Sequence, residues 1–118
     1  MVTREEIINY VTKKYDIQPE YPFKKFPTYC VFKNKRNNKW FGLMMLIPQN
    51  KLYGDQQTEI EVIDFKVNPE LGAILKSSKS YYPAYHMNKD HWITADLTAI
   101  DNPDQLFGLL DDSFELTQ

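Results

Sequence analysis

The stretch TYCVFKNKRNNKWFGLMMLI, residues 28–47, decides the fold class of this chain. Its outer parts, TYCVF and KWFGLMMLI, are apolar at successive positions, which indicates two strands with both faces covered. Between them, the polar turn KNKRNNK contains Asn37 and Asn38, which tolerate left-handed backbone angles. The stretch therefore predicts an antiparallel hairpin with a cationic tip.

The segments on either side of the hairpin predict a helix before it and a third strand after it. Thr3 and Glu6 form a capping box near the start of the chain, and apolar residues then recur at helical spacing. TEIEVIDFKV, residues 58–67, reads as the third strand. Its apolar positions change phase between Val62 and Ile63, which predicts a β-bulge there.

The second half of the chain predicts two more helices and one more strand. Asn68 followed by Pro69 begins a short second helix. The apolar side of that helix consists of Leu71, Ile74 and Leu75. A fourth strand follows at residues 91–98, and NPDQLFGLLDDSF, residues 102–114, predicts a third helix. The order α-β-β-β-α-β-α over residues 1–118 indicates one α+β domain, an antiparallel β-sheet flanked by helices.

The composition is that of a globular chain. Of the 118 residues, 42% are hydrophobic and 14% are aromatic. No apolar run reaches the roughly 18 residues of a membrane span, and the first residues lack the order of a signal peptide. The one cysteine, Cys30, lies in an apolar strand and is interpreted as a buried hydrophobe. A cytoplasmic protein without a membrane partner or a cysteine-based zinc site is expected.

The charges are distributed unevenly along the chain. Residues 21–54 contain no Asp or Glu but seven Lys and Arg, whereas residues 90–118 contain seven Asp and Glu but no Lys or Arg. The basic segment therefore either faces an anionic partner such as nucleic acid, or packs against the acidic part and is neutralised by it. The sequence pI of about 5.6 favours the second interpretation.

The stretch YYPAYHMNKDHWITADL, residues 81–97, contains two histidines near a lysine and an aspartate. His86 and His91 are five residues apart, a spacing that separates them on a helix and places them on opposite faces of a strand. A metal site is therefore not expected. The chain has no Gly-x-Ser-x-Gly elbow, P-loop or dinucleotide fingerprint, so neither a catalytic residue nor a nucleotide cofactor is expected. An unrecognised activity or a small-ligand site near His86 and His91 is the alternative.

The hairpin tip offers a site for nucleic-acid phosphates. Its cations, all within seven residues, are Lys33, Lys35, Arg36 and Lys39. Cations on a hairpin contact phosphates without reading the base sequence, and exposed Tyr85 and Trp92 rings would stack on bases. The competing interpretation is a solvated turn, with Trp92 covered by a helix.

PAYHMNKDHW, residues 83–92, resembles the signature of the MmcQ/YjbR family of small bacterial proteins. The residues that carry this motif are Tyr85, His86, Met87, Asn88, Lys89, His91 and Trp92. The likeness extends along nearly the whole chain, since TREEIINYV, YPF and FKVNPEL resemble other conserved segments of that family. The resemblance implies a CyaY-like fold and DNA binding through a double-wing arrangement, and no established enzymatic activity or cofactor comes with it.

The leading hypothesis from the sequence is a non-enzymatic DNA-binding module. Its expected phosphate contacts are Lys33, Lys35, Arg36, Lys39 and Lys89. The rival hypothesis is a protein–protein interaction domain whose basic and acidic faces pair with another protein or with a second copy.

Overall fold

The computed structural model describes all residues, Met1–Gln118. Each of its three α-helices begins at a capping side chain. The helices are α1 (Arg4–Tyr15), α2 (Pro69–Lys76) and α3 (Pro103–Leu116). Thr3 forms the predicted capping box with Glu6, and the Asn68 and Asn102 side chains accept hydrogen bonds from first-turn amides of α2 and α3. These caps satisfy amide groups that the first turn of a helix leaves without partners. None of the helices combines the length and the apolar character that crossing a membrane requires.

The sheet confirms the α+β class that the sequence predicts. Its strands are β1 (Cys30–Lys33), β2 (Trp40–Pro48), β3 (Glu59–Lys66), β4 (Tyr81–Pro83) and β5 (Trp92–Asp96). Neighbours in the order β1-β2-β3-β5-β4 are all antiparallel. The predicted order of elements lacks β4, because a strand of three residues is too short to show an alternating pattern. The more specific likeness to the CyaY-like fold stays a prediction.

The two faces of the sheet are covered differently. The helices pack on one of them, the helix face, through buried residues such as Ile7 of α1, Leu75 of α2 and Leu110 of α3. The opposite face, the loop face, carries a second core cluster of Tyr29, Val31, Leu43, Met45, Ile47, Ile60 and Val62. Loop side chains that pack on this cluster include Phe23, Leu52, Tyr53, Tyr85 and Met87. Both faces of the central strands are therefore apolar, as the hairpin sequence predicts.

A bulge in β2 decides which face its first aromatic residues occupy. Phe32 is paired with Gly42 and Lys33 with Trp40, so that Phe41 is the extra residue on β2. An extra residue shifts the alternation of side chains by one position. As a result Phe41 joins the core of the helix face, while Trp40 packs on the loop face.

Two predictions from apolar patterns are wrong. The bulge expected between Val62 and Ile63 does not form, since β3 pairs with both of its neighbours without a shift of register. Both residues are fully buried, on opposite faces, so their phase change reflects a strand covered on both sides. In α2, Leu71 and Leu75 pack on the core as predicted, but Ile74, the third residue of the predicted apolar side, is 63% exposed. The helix is only eight residues long, too short for its pattern to define which side faces the sheet.

A carboxylate on α3 joins this helix to α1. Asp111 accepts hydrogen bonds from the hydroxyls of Tyr10 (2.6 Å) and Tyr15 (2.5 Å) and from the ammonium of Lys14 (2.7 Å). Burial alone would raise the pKa of Asp111, but these three donors outweigh it and hold the pKa below its ordinary value. The acidic C-terminal part of the chain is thus tied to the first helix.

The ion pairs of the structure differ from the pairing that the sequence favours, in which the basic segment packs against the acidic C-terminal part. The ion pairs are Arg4–Glu61, Lys14–Asp111, Lys33–Glu20, Lys35–Asp16 and Lys79–Asp101. The predicted neutralisation of residues 21–54 by the acidic C-terminal part is therefore wrong, because the cations of this segment that form pairs do so with acids just before it. The hairpin tip reaches the C-terminus only through a neutral bond, from the Asn37 amide to the Thr117 carbonyl oxygen (2.7 Å).

Candidate functional site

Antiparallel pairing brings the two segments of interest to the same end of the sheet. β1 and β4 run toward this end, and β2 and β5 begin at it. The turn at residues 34–39, between β1 and β2, and the loop at residues 84–91, between β4 and β5, therefore both lie at this end. Residues 34–39 are called the hairpin tip below, and residues 84–91 the motif loop. The sequence singled out both segments, and the sheet places them at the same end, on opposite sides of β3.

Two of the four cations predicted at the hairpin tip form ion pairs, and the other two do not. Lys33 and Lys35 each contact a carboxylate, at 3.2 and 3.1 Å, whereas Arg36 and Lys39 form no ion pair. The turn itself forms as predicted, since Asn38 adopts a left-handed backbone angle (φ 62°). The two unpaired cations are exposed and available to an anion.

The side chains of Asn88 and Lys89 hold the motif loop in shape. The Asn88 carboxamide oxygen accepts hydrogen bonds from the amides of Asp90 (2.9 Å) and His91 (3.1 Å). The Lys89 ammonium donates to the Ala84 carbonyl oxygen (2.7 Å). Such bonds let polar side chains stabilise a turn from within. Lys89, a predicted phosphate contact, therefore has its ammonium engaged inside the loop.

The other motif residues divide between exposed and packed positions. His86 and His91 are exposed, and the His86 ring lies 3.9 Å from the Tyr85 ring between centroids. Tyr85 and Met87 pack on the loop face. Trp92 is half-buried and leaves β5 on the loop-face side, where loops rather than an α-helix lie. No three His, Cys, Asp or Glu side chains gather at a position suited to a metal ion.

A buried carboxyl lies beneath the motif loop. Asp64 is fully buried, and the Thr94 hydroxyl donates a hydrogen bond to its Oδ1 atom (2.5 Å), while Oδ2 has no hydrogen-bond partner. The same Thr94 hydroxyl accepts a bond from the Tyr85 amide (2.9 Å) and so attaches the loop to β5. Burial raises the pKa of Asp64 to about 8, although the bond from Thr94 and the charge of Lys89 oppose this shift.

Replacing Thr94 with valine is expected to lower the free energy of unfolding by about 2 kcal/mol, because it leaves buried polar groups of Asp64 and Tyr85 without a partner. Valine keeps the shape of the side chain, so packing changes little. Urea unfolding measures the loss. Thr98→Val is the matched control, because its hydroxyl bonds to Asp96 from an exposed position. Equal losses for the two variants would show that Thr94 does not anchor the loop.

An aromatic cleft opens on the loop face beside the motif loop. It has a volume of about 230 Å³. Its lining residues are Phe23, Phe26, Tyr29, Trp40, Leu43, His86 and Met87. The Phe23 and Trp40 rings meet at 87° with centroids 5.9 Å apart, whereas the Phe26 and Tyr29 rings stack at 4.6 Å. Flat aromatic walls with a histidine at one side give this cleft the most apolar lining of the clefts on the chain, and this makes it the candidate site.

Sequence reasoning missed most of this cleft. Its residues come from the loop before β1, from β2 and from the motif loop, which are remote from one another along the chain. Trp40 reaches the cleft only because of the bulge in β2. The available signal was the density of aromatic residues between Tyr21 and Tyr29, which by itself indicates core as readily as a site.

Comparison with known proteins finds relatives along the whole chain. A family model described as YjbR matches residues 12–116. The protein YyaQ of Bacillus subtilis (strain 168) is 37% identical over 118 residues, which is 100% of both chains. A crystal structure of a protein from Pseudomonas syringae aligns with a TM-score of 0.96 at 44% identity, over 99% of this chain and 100% of that one. The crystal structure of Deinococcus radiodurans protein DR2400, with the domain DUF419, aligns with a TM-score of 0.75 at 25% identity, over 98% of this chain and 78% of that one.

Proposed function

The chain belongs to the YjbR family, and we propose that it is a non-enzymatic DNA-binding domain. The observation that supports this proposal most directly is a group of cations without a carboxylate partner. They are Lys24, Lys25, Arg36 and Lys39, which precede β2, and Lys51, which follows it; all are exposed and lie within the segment that contains no acid. Unpaired cations on loops and hairpin tips suit phosphate oxygens, which position nucleic acid without reading its sequence.

The two paired lysines are able to join this group when DNA binds. In the Lys35–Asp16 pair, the side chains are 62% and 92% exposed. Exposed ion pairs contribute only about 0 to 1 kcal/mol, so phosphate competes easily for such a lysine. Lys33 pairs with Glu20, which is also more than half exposed. Lys89 is left out of the proposed contacts because its ammonium already bonds within the motif loop.

The proposal includes no catalytic group. Burial raises the pKa of the Cys30 thiol, which disfavours the thiolate that a nucleophilic cysteine needs. His86 and His91 are exposed and neither forms an ion pair that would orient a base. A bacterial DNA-binding domain of this kind acts in the cytoplasm, and the two hairpins at one end of the sheet are consistent with the double-wing arrangement.

The salt dependence of DNA binding tests the proposal. If Lys24, Lys25, Arg36 and Lys39 neutralise phosphates while Lys33 and Lys35 keep their carboxylate partners, the logarithm of duplex affinity falls with the logarithm of salt concentration at a slope of about −3.6. Replacing Arg36 and Lys39 with glutamate is expected to bring the slope close to about −1.8 and to weaken binding at least tenfold at low salt. Fluorescence anisotropy of a labelled duplex at several salt concentrations measures both quantities.

The matched control replaces Lys13 and Lys79 with glutamate. This variant changes the net charge by the same amount at exposed positions outside residues 21–54. The Lys79–Asp101 ion pair that it removes is 77% and 83% exposed, so its loss costs about 1 kcal/mol or less. It is expected to bind DNA nearly as the unmodified protein does. Absence of binding at low salt, or equal losses in the two variants, would rule out the proposed contacts.

A second candidate function is protein–protein interaction, with another protein or a second copy. It is favoured by two exposed apolar residues, Ile74 (63% exposed) and Leu116 (46% exposed). Light scattering across protein concentrations measures self-association. A dimer that Ile74→Ser converts to a monomer would favour this candidate over DNA binding.

A further inference from the structure

We infer that the aromatic cleft of the loop face accepts a single unstacked nucleobase whose phosphate lies on the neighbouring lysines. This inference rests on the proposed function, and it specifies which form of nucleic acid the domain prefers. The base belongs either to a single strand or to a free nucleotide, since both present the same chemistry to the cleft.

The size and walls of the cleft fit one flat ring system. Its volume of about 230 Å³ is below the roughly 300–1,000 Å³ of sites for drug-sized ligands. Phe26 is 47% exposed although its ring stacks on Tyr29, so one face of this aromatic pair remains open. Every nucleobase has a π-face that stacks on an aromatic ring, whatever the base.

The cleft also carries a polar group at its opening. The His86 ring lines the cleft and is exposed, at 6.4 Å from the Tyr29 ring between centroids. An imidazole donates and accepts hydrogen bonds through its two nitrogens. The backbone of His86 is left-handed (φ 71°), which is unusual for a residue other than glycine. The edge of a base can therefore form a hydrogen bond with His86, whereas an aliphatic ligand has no polar group that would use this imidazole.

The positive charges around the cleft favour an anionic ligand. Lys24 and Lys25 are exposed and occupy the turn between the lining residues Phe23 and Phe26. Lys33 lies opposite Trp40 in the pairing of β1 with β2, and its ammonium forms an ion pair with the exposed Glu20. No acidic residue lines the cleft. An aromatic ring attached to a phosphate satisfies both the apolar walls and the surrounding cations.

Duplex DNA offers this group only after a base is flipped out of the stack, which costs a few kcal/mol. The domain is therefore expected to bind a single strand more tightly than a duplex of the same length. The lysines contact phosphates in both forms, whereas the cleft contributes only to the single strand.

The test uses the full chain with Trp92→Phe, which leaves Trp40 as its one tryptophan. Oligothymidylate, its duplex with oligodeoxyadenylate, and thymidine monophosphate are titrated at low salt, and Trp40 fluorescence reports contact with the base. We expect quenching by the single strand and weaker affinity for the duplex. Phe26→Leu keeps an apolar side chain but removes the ring, and is expected to weaken single-strand binding by about fivefold to 100-fold while duplex affinity is unchanged.

Tyr21→Leu is the matched control, because Tyr21 is a 52% exposed aromatic residue outside the cleft. Unfolding curves of all variants show whether they remain folded, and Lys24→Ala with Lys25→Ala tests the cleft without changing its rings. Duplex binding without single-strand preference, or equal effects of Phe26→Leu and Tyr21→Leu, overturns the inference and leaves the proposed function intact. Quenching by thymidine monophosphate without binding of either strand supports the cleft as a nucleotide site and overturns the proposed function. Absence of quenching by all three probes overturns the inference, and absence of any change in the anisotropy of the labelled single strand and duplex overturns the proposed function as well.

Discussion

Raising the pH from about 5 to about 8 is expected to lower the free energy of unfolding by about 3 to 4 kcal/mol, and Asp64 is the expected cause. This carboxyl is fully buried under the motif loop, and burial raises its pKa to about 8. In the unfolded chain an aspartate has a pKa of about 3.9. Between pH 5 and pH 8 the folded protein therefore mostly keeps a proton that the unfolded chain has already released.

The sign of the effect follows from this difference. Below about pH 4 both states hold the proton, so Asp64 imposes no cost on folding. As the pH rises toward 8, only the unfolded chain becomes ionised, and the folded state loses stability relative to it. Above the folded pKa both states are ionised and the loss is complete. Asp111 acts in the opposite sense, since its lowered pKa stabilises the fold at neutral pH and this contribution is lost only in acid.

Urea unfolding at several pH values between 5 and 8 measures the effect. The control is Asp64→Asn, whose side chain has the same shape and does not titrate. Its free energy of unfolding should vary with pH much less than that of the unmodified protein. If both proteins showed the same dependence on pH, Asp64 would not be the buried acid that the structure describes.

Replacing Phe41 with alanine is expected to lower the free energy of unfolding by about 3 to 5 kcal/mol. Phe41 is fully buried on the helix face. Its ring lies 5.2 Å from Phe114, 6.0 Å from Phe32 and 6.1 Å from Tyr15 between centroids. It therefore joins α3, β1 and α1, and alanine would leave a cavity where these elements meet. The loss is a large fraction of the roughly 5–15 kcal/mol by which a typical domain is stable.

Chemical denaturation of Phe41→Ala, Phe41→Leu and Phe26→Ala checks this prediction. Leucine fills part of the space, so its loss should be smaller than that of alanine. Phe26 is 47% exposed, so its replacement by alanine should cost about 1 kcal/mol or less. Similar losses for Phe41→Ala and Phe26→Ala would contradict the assignment of Phe41 to the core.

Features decided by neighbours in the chain could be predicted, whereas features decided by distant contacts could not. The caps at Thr3, Asn68 and Asn102 depend on residues three positions away, and all three form as expected. The exposure of Ile74 depends on where α2 lies against the sheet, which eight residues do not specify. The bulge was expected in β3 from its apolar phase, yet it lies in β2, where only the pairing with β1 reveals it.

The candidate site shows the same division. The motif residues Tyr85 to Trp92 identify the family, and the family assignment is confirmed. Their roles follow from contacts that the motif does not show, since Lys89 bonds to Ala84 and the Tyr85 amide bonds to Thr94. Asp64 reads as one polar residue in an apolar strand, and only the motif loop above it makes it a buried acid.

By itself the sequence determined the α+β class, the start of each helix and the hairpin, because capping, turn formation and apolar patterning act over a few residues. The tertiary structure alone decided which cations remain unpaired and where the aromatic cleft forms. Ion pairs and clefts join side chains that are remote along the chain, and a shift of one residue in β2 moves Trp40 from one face of the sheet to the other. The hairpin that defined the fold therefore contributes to the cleft through a residue whose direction depends on how its two strands pair.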